Sequence, residues 1–469
     1  MRTGLFIQTG LRGVEREESL RYISKMLPLS VVLFGNDFSN EKELTELISK
    51  INHIYVVENN VPAPFIAVDQ EGGNVVRIPW IDYSPSNLFL GKLDNPEFTN
   101  YVGMLTGYQL NSLGIRWNLA PVLDTLNGYN PVILERSFGS DLETIGKHGA
   151  EFIKGIQSYD VRATAKHFPG HGSVMVDSHV DLPEDKRNVE SIINDSYPFR
   201  KAIDEGVSSI MLSHVLYNSL DENYPATLSA EVQKLLRHSF NYRNLIISDS
   251  MDMKAVKGRY DVSEIIKGSI KNEVDVIENA DIVGSMEFYE QIQNIDTALL
   301  KPKEERIMQF MQPFKKLSYK PSPLLMRSVE TVSSRIRRRK ILNPDIEADL
   351  VLMDSKDESQ VAEISKSTNL VSTHLADLNL KLKLHYGTEF LENMKESGRQ
   401  IILVGRNEHL RSRVNLMNAI SGKNNCVFIS TSFDGDIGIV SEKMGYISTY
   451  SKKPSVIVGA ILKAYGFMA

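Results

Sequence analysis

Short apolar, β-branched runs recur along the first two-thirds of the chain, and helix-period segments separate them. The runs are GLFIQT (Gly4–Thr9), SVVLFG (Ser30–Gly35), PFIAVD (Pro64–Asp69), IRWNLAPV (Ile115–Val122), VRATAKH (Val161–His167), VSSIMLSH (Val207–His214), NLIISD (Asn244–Asp249) and VDVIEN (Val274–Asn279). Between them, Leu44, Leu47, Ile48 and Ile51 share one helical face behind Asn40, and Ile145, Phe152, Ile153 and Ile156 share another behind Asp141. Asn and Asp are favoured helix N-caps, and an i, i+3, i+4, i+7 apolar spacing marks a buried helix face. Continuous apolar strands alternating with such helices specify a parallel sheet covered on both faces. Eight units over roughly 300 residues predict an α/β fold with a closed (β/α)8 barrel; a doubly wound open sheet is the alternative.

Past this region the pattern breaks at SYKPSPLLM (Ser318–Met326), which carries two prolines. The basic stretch RSVETVSSRIRRRK (Arg327–Lys340) reads as a helix with a solvated charged face. A smaller α/β pattern then resumes with DLVLMD (Asp349–Asp354), NLVSTH (Asn369–His374), QIILVG (Gln400–Gly405) and CVFIST (Cys426–Thr431), closed by a helix in SVIVGAILKAYG (Ser455–Gly466). The expected organisation is a catalytic barrel over residues 1–325, a helical linker over 326–345 and a C-terminal α/β domain over 346–469. No GxGxxG opens a helix in the second domain, so nothing there points to a dinucleotide.

A chain of 469 residues is long enough for two cores. With 42% hydrophobic and 24% charged residues it reads as an ordinary globular protein, and a net charge of −6 offers no basic surplus for nucleic acid. The single cysteine, Cys426, excludes a disulfide within the chain, which suits a reducing compartment. No run approaches the ~18 apolar residues of a membrane span, and the N-terminus lacks a secretory pattern. These features predict a cytoplasmic protein, monomeric or homodimeric, that meets neither membrane nor nucleic acid.

Barrels of this kind place their chemistry at the C-terminal ends of the strands. Polar residues stand at those ends here: Asp69 after the third run, Lys166 and His167 at the end of the fifth, His214 after the sixth and Asp249 after the seventh. Arg136 lies in the loop after the fourth, and Arg77 follows Asp69 by eight residues. A carboxylate at a buried strand end costs free energy unless it is paired or used. Asp249 is therefore either a nucleophile or base at the barrel mouth, or a cap for the next helix.

The loop KHFPGHGSVMVDSHVDLP (Lys166–Pro183) holds three of the ten histidines. Asp177 and His179 form an Asp-x-His pair; a carboxylate beside an imidazole fixes its tautomer and raises its basicity, which suits a general acid/base. A surface pair without a role is the alternative. A metal site on His167, His171 and His179 is a third possibility, but the spacing matches neither HExxH nor a Cys/His finger.

Taken in order, VDQEGGNVVR, ILERSFG, KHFPGHG followed four residues later by DSH, and IISDSM resemble glycoside hydrolase family 3, in its β-N-acetylglucosaminidase branch. The resemblance spans about residues 1–344 and extends weakly to an α/β sandwich domain beyond. It implies a retaining glycoside hydrolase without metal or organic cofactor, acting on carbohydrates that end in N-acetylglucosamine. It implies Asp249 as nucleophile, and His179 held by Asp177 as acid/base. Asp69, Arg77, Arg136, Lys166 and His167 match positions that grip the terminal sugar, and His214 a position near the site. The sequence departs from the branch at Asn74, where Arg is usual, and in the apolar pair Met175–Val176. A β-glucosidase, a β-xylosidase or a phosphorylase of the same family is the neighbouring alternative. A metal-dependent hydrolase and a non-catalytic sugar-binding protein are alternatives of other classes.

Overall fold

A computed structural model describes residues 2–127, 130, 132–174, 181–323 and 326, and in the C-terminal part residues 335–338, 342, 348–352, 382–386, 400–405, 425–430, 445–449, 456, 460, 461, 463 and 464. All eight predicted runs overlap a strand: β1 (Ile7–Arg12), β2 (Ser30–Val32), β3 (Phe65–Val68), β4 (Trp117–Asn118), β5 (Arg162–Phe168), β6 (Ser209–Leu212), β7 (Leu245–Ser248) and β8 (Ile277–Asp281). They pair in parallel in the order β8-β1-β2-β3-β4-β5-β6-β7. A parallel bridge between Ile247 and Val276 joins the two ends of this order, and the Ser248 N–H donates to the Val276 carbonyl at 3.1 Å. The barrel is thus closed, not an open doubly wound sheet.

β1 and β8 lie further along the chain than their apolar runs suggest. Thr3–Phe6 is a 3-10 turn, so β1 begins only at Ile7 and carries Arg12 to the mouth. β8 extends past Glu278 to Asp281, two residues beyond the run.

The surrounding helices start where their caps place them. Asn40 accepts from the Glu43 N–H at 3.0 Å and opens helix Glu41–His53, which buries Leu44, Leu47, Ile48 and Ile51. Asp141 accepts from the Thr144 N–H at 2.8 Å and opens Leu142–Gln157, which buries Ile145, Phe152, Ile153 and Ile156. Along each strand successive side chains face opposite sides. Val31, Ile66, Val68, Ile210, Leu212 and Ile246 pack with these helices. The intervening Val32, Ala67, Trp117, Met211, Leu245 and Ile247 form a second cluster. The latter share the barrel interior with a thin polar layer: Gln8 donates to Ser30 at 3.0 Å, the Trp117 indole N–H to Thr164 at 2.8 Å, and Thr164 bonds Ser209 at 2.8 Å. This packed plug closes the barrel below the mouth, so chemistry is confined to the C-terminal ends of the strands.

The C-terminal part contains a six-stranded sheet: β9 (Arg335–Arg338), β10 (Ala348–Leu352), β11 (Leu382–Tyr386), β12 (Gln400–Gly405), β13 (Asn425–Ser430) and β14 (Gly445–Ser448), in the order β9-β14-β13-β12-β10-β11. All neighbours are parallel except β9, which runs antiparallel to β14. The expectation of a helix over Arg327–Lys340 is corrected at β9. Three arginines in four residues look like a solvated helix face, but charged residues equally suit an edge strand, where they discourage further pairing. β11 and β14 were not anticipated either. The expected strand Asn369–His374 lies outside the described residues. Val456, Ala460, Ile461, Lys463 and Ala464 are helical, within the predicted closing helix.

Trp117 is fully buried in the interior plug. Replacing it with Ala removes its packing and its bond to Thr164, and should cost about 3–5 kcal/mol. A clear drop in the thermal midpoint of the Trp117→Ala protein, followed by circular dichroism, is the expected result.

Candidate functional site

The turn after β3 sets the site. Gly72 and Gly73 take φ of 94° and 57°, a left-handed conformation that favours glycine. A Cβ on Gly72 would meet Ser84 and the Pro85 carbonyl at 2.6–2.7 Å. The chain folds back here, with the Glu71 and Gly72 N–H groups both donating to the Val75 carbonyl. Gln70 clamps the turn: its Oε1 accepts from the Arg77 and Ile78 N–H groups at 3.0 and 3.1 Å. Its main chain exchanges two bonds with the Asn118 amide on β4. Asp69, Glu71 and Arg77 are thereby turned into the mouth.

Lys166, at the end of β5, reaches across to meet them. Its ammonium lies 2.8 Å from Asp69 and 2.7 Å from Glu71. Arg136 binds Glu71 through both Nε (2.8 Å) and Nη2 (2.9 Å), and Arg77 lies 3.5 Å from Asp69. Burial opposes the charges of Asp69, Glu71, Lys166 and Arg136, yet the pairs outweigh it. Arg136 and Lys166 hold the Glu71 carboxyl far below the usual carboxylate range. Lys166 and Arg77 hold Asp69 below it as well. Asp69 and Glu71 raise Lys166, and Glu71 raises Arg136. The result is a fixed set of charged donors, which suits recognition of hydroxyl and carbonyl oxygens.

A second cluster lies beside it. Asp124, just past β4, accepts from His167 Nδ1 at 2.6 Å and from the His171 N–H at 2.6 Å. A carboxylate is only an acceptor, so this contact fixes the His167 tautomer with its proton on Nδ1. Burial works against the Asp124 charge, but the neighbouring His167 lowers its carboxyl below the ordinary value. His171 packs edge-on to His167 at 6.0 Å between ring centroids, and burial lowers it to about 4, so it is neutral near pH 7. Gly172 permits this approach, since a Cβ there would come within 1.6 Å of the Thr125 carbonyl.

Asp249 follows β7 on the opposite side of the mouth. Its N–H donates to the Leu212 carbonyl at 3.2 Å, and its Oδ1 accepts from the Ser250 N–H at 2.8 Å. It does not cap the following helix, Val262–Gly268, whose cap is Asp261. Asp249 shares one cavity of about 270 Å³ with Asp69, Glu71, Arg77, Arg136, Lys166, His167 and His171. Arg12, Asp252, Lys254 and Glu278 complete its charged lining. At the rim the Arg12 guanidinium stacks 3.8 Å above the Phe34 ring.

The predicted residues Asp69, Arg77, Arg136, Lys166, His167 and Asp249 therefore converge on one cavity. His214 does not line it. It is fully buried, its Nδ1 bonded to Thr227 at 2.8 Å and its Nε2 to the Ser250 carbonyl at 2.9 Å, so it props the loop that carries Asp249. Asp177 and His179 lie outside the described residues. Asn74 donates to Glu135, so it braces the segment that presents Arg136.

The family model described as the glycosyl hydrolase family 3 N-terminal domain matches residues 9–312. The chain belongs to glycosyl hydrolase family 3. It is a glycoside hydrolase. Among curated members of the family, a protein of Tolumonas auensis named β-hexosaminidase is 37% identical over 237 residues, which span 49% of this chain and 69% of that protein. Another of the same name from Methylobacillus flagellatus is 32% identical over 270 residues, spanning 56% and 76%. A family 3 β-N-acetylglucosaminidase from Paenibacillus sp. has the same fold, with a TM-score of 0.89 at 24% identity over 100% of this chain and 96% of that one.

In this family 3 enzyme the motif residues account for only part of the cavity. Glu71, Glu278 and Arg12 also line it and Asp124 stands behind His167, and none of the four stood out as a site residue in the sequence. A signal was present for three of them, because each acid sits within or just after an apolar run, where an unused carboxyl is costly. Arg12 gave none, because β1 starts later than its apolar run.

The ion network also has a pH signature. Glu71 is depressed in the folded state, so its contribution is complete above the ordinary carboxylate range, about pH 4.3, and is lost as pH falls through the lower folded value. Glu71→Gln should destabilise the protein by about 3–5 kcal/mol near pH 7, because Lys166 and Arg136 lose a buried counter-charge. Denaturant curves at several pH values should show the gap from wild type narrowing below about pH 4.

Proposed function

We propose that this glycoside hydrolase is an exo-acting, retaining β-N-acetylglucosaminidase that removes terminal N-acetyl-β-D-hexosaminides. One observation carries the reading: an acid, Asp249, faces a compact set of charged donors across a cavity of about 270 Å³. That lies just below the usual range for drug-sized ligands, about 300–1,000 Å³, and suits a single terminal sugar ring. The name β-hexosaminidase on the curated relatives supports the choice of sugar.

In this reading Lys166, Arg77 and Arg136 donate to the hydroxyl and N-acetyl oxygens, and Asp69 and His167 Nε2 accept from hydroxyls. The Asp249 carboxylate attacks the anomeric carbon while the bond to the leaving oxygen breaks, and His179 gives that oxygen its proton. Asp177 holds the His179 imidazole for the task. The sugar is then an ester of Asp249. In the second step His179 takes a proton from water, the water oxygen bonds to the anomeric carbon from the side the aglycone left, and Asp249 departs as a carboxylate. Two displacements return the β anomer. Most retaining enzymes use a second carboxyl as acid/base; a His–Asp pair does that work here, as the family resemblance implies. The supporting domains are a barrel over residues 1–325 and an α/β domain over 346–469. The connection over 326–345 contributes β9 to the C-terminal sheet.

Turnover of p-nitrophenyl N-acetyl-β-D-glucosaminide tests this directly. Asp249→Ala should lose about a thousandfold or more in kcat/KM, as removal of a nucleophile does elsewhere; wild-type turnover would sink the assignment. His179→Ala should keep cleavage of aryl glycosides with good leaving groups better than of those with poor ones, and equal losses on both would remove its acid role. The first-formed sugar should be the free β anomer by NMR, in phosphate as in phosphate-free buffer; sugar 1-phosphate would mark a phosphorylase.

A further inference from the structure

Glu278 is a buried carboxyl in the cavity that neither the sugar grip nor the displacement uses. β8 pairs it with Gln8 of β1, and adjacent residues of a parallel pair project to the same side, here the barrel interior. Two residues on, Ala280 lines the same cavity, as strand alternation requires. The main chain of Glu278 is clamped to the segment that carries Asp249. Its N–H donates to Ser248 Oγ at 2.9 Å, and its carbonyl accepts from the Met251 N–H at 3.0 Å. Its side chain is thus held beside Asp249, only 4% exposed and open to the cavity.

The charges around it decide its state. Asp69 and Glu71 already share Lys166, Arg77 and Arg136. The segment after β7 presents Asp249, Asp252 and Lys254; β1 presents Arg12, and the turn after β3 presents Asp69. Burial, followed by the charges of Asp249, Asp69 and Asp252, drives the Glu278 carboxyl well above the ordinary range; a bond with Ser250 opposes this only in part. An ionised Glu278 would face the like charge of Asp249 in a buried site, which favours its protonated form.

We propose that Glu278 is a specificity-determining residue, an un-ionised carboxylic acid that donates its O–H to a hydroxyl of the bound sugar beside Asp249. The assignment of a sugar to this cavity rests on the function proposed above. The acid supplies a neutral donor where an ammonium or guanidinium would pair with Asp249 and blunt it as a nucleophile. Ionisation of Glu278 would remove the donor and place a second anion next to Asp249, so binding should weaken as Glu278 loses its proton.

The test is calorimetric binding of N-acetylglucosamine from pH 6 upward to the wild type, Glu278→Gln and Glu278→Leu. Binding of the free sugar needs no proton transfer from His179. Wild-type affinity should fall about tenfold per pH unit once Glu278 ionises. Glu278→Gln keeps an N–H donor and should lose this alkaline decline. Glu278→Leu should bind about ten- to a hundredfold more weakly across the range, and more weakly than Glu278→Gln. A wild-type minus Glu278→Gln infrared difference spectrum at pH 7 should show the carbonyl stretch of an un-ionised carboxylic acid, an outcome that does not depend on the ligand or on Glu278→Leu folding. A carboxylate band at that pH, an alkaline decline that persists in Glu278→Gln, or equal affinity in Glu278→Leu and wild type would each overturn the proposal. Wild-type protein that binds no N-acetylglucosamine at any pH would instead overturn the sugar assignment, and the donor role with it.

Discussion

The buried ion network centred on Lys166 is the interaction on which the site depends. One ammonium, at the end of β5, meets two carboxylates from the turn after β3, and Arg136 and Arg77 close the set. Buried charge is costly, and this arrangement survives because each charged group has a counter-charge within 3.5 Å. The exchange does more than cancel a penalty. It ties the third and fifth strands to the loop after the fourth, and so fixes the positions of donors that come from three separated stretches of chain.

The same principle separates the acids of the cavity by role. Asp69 and Glu71 are compensated by cations and stay ionised. Asp124 is compensated by His167 and by main-chain N–H groups, and it positions rather than reacts. Asp249 accepts from the Ser250 N–H beside the open cavity, where an anion can reach a substrate. Glu278 has acids as its strongest electrostatic neighbours, and it keeps its proton. These five carboxyls thus differ in charge and reactivity because their neighbours differ.

The contrast between His167 and His214 shows how far a strand-end argument reaches. Both follow an apolar run and both belong to a recognisable motif. His167 turns into the cavity because Asp124 holds its Nδ1 from one side. His214 turns away, because Thr227 and the Ser250 carbonyl occupy its two nitrogens inside the wall. The sequence places both at the mouth; only the three-dimensional partners, 13 and 36 residues further on, separate a binding side chain from a prop.

By itself, the sequence determined the layered architecture. The strand and helix periods, the Asn40 and Asp141 caps and the glycines after Asp69 act within a few residues, and local chemistry of that kind can be read along a chain. It also determined the positions of Asp69, Arg77, Arg136, Lys166, His167 and Asp249 at the mouth, because strand ends are local features once the barrel is given. Tertiary structure alone decided the rest: that β1 starts late and brings Arg12 to the mouth, that Glu278 is held beside Asp249, that Arg335–Arg338 pairs as an edge strand, and which acid meets which cation. Those outcomes depend on register across the barrel and on charges 40 to 100 residues apart. Their energies are set by burial and by partners that the linear order does not display.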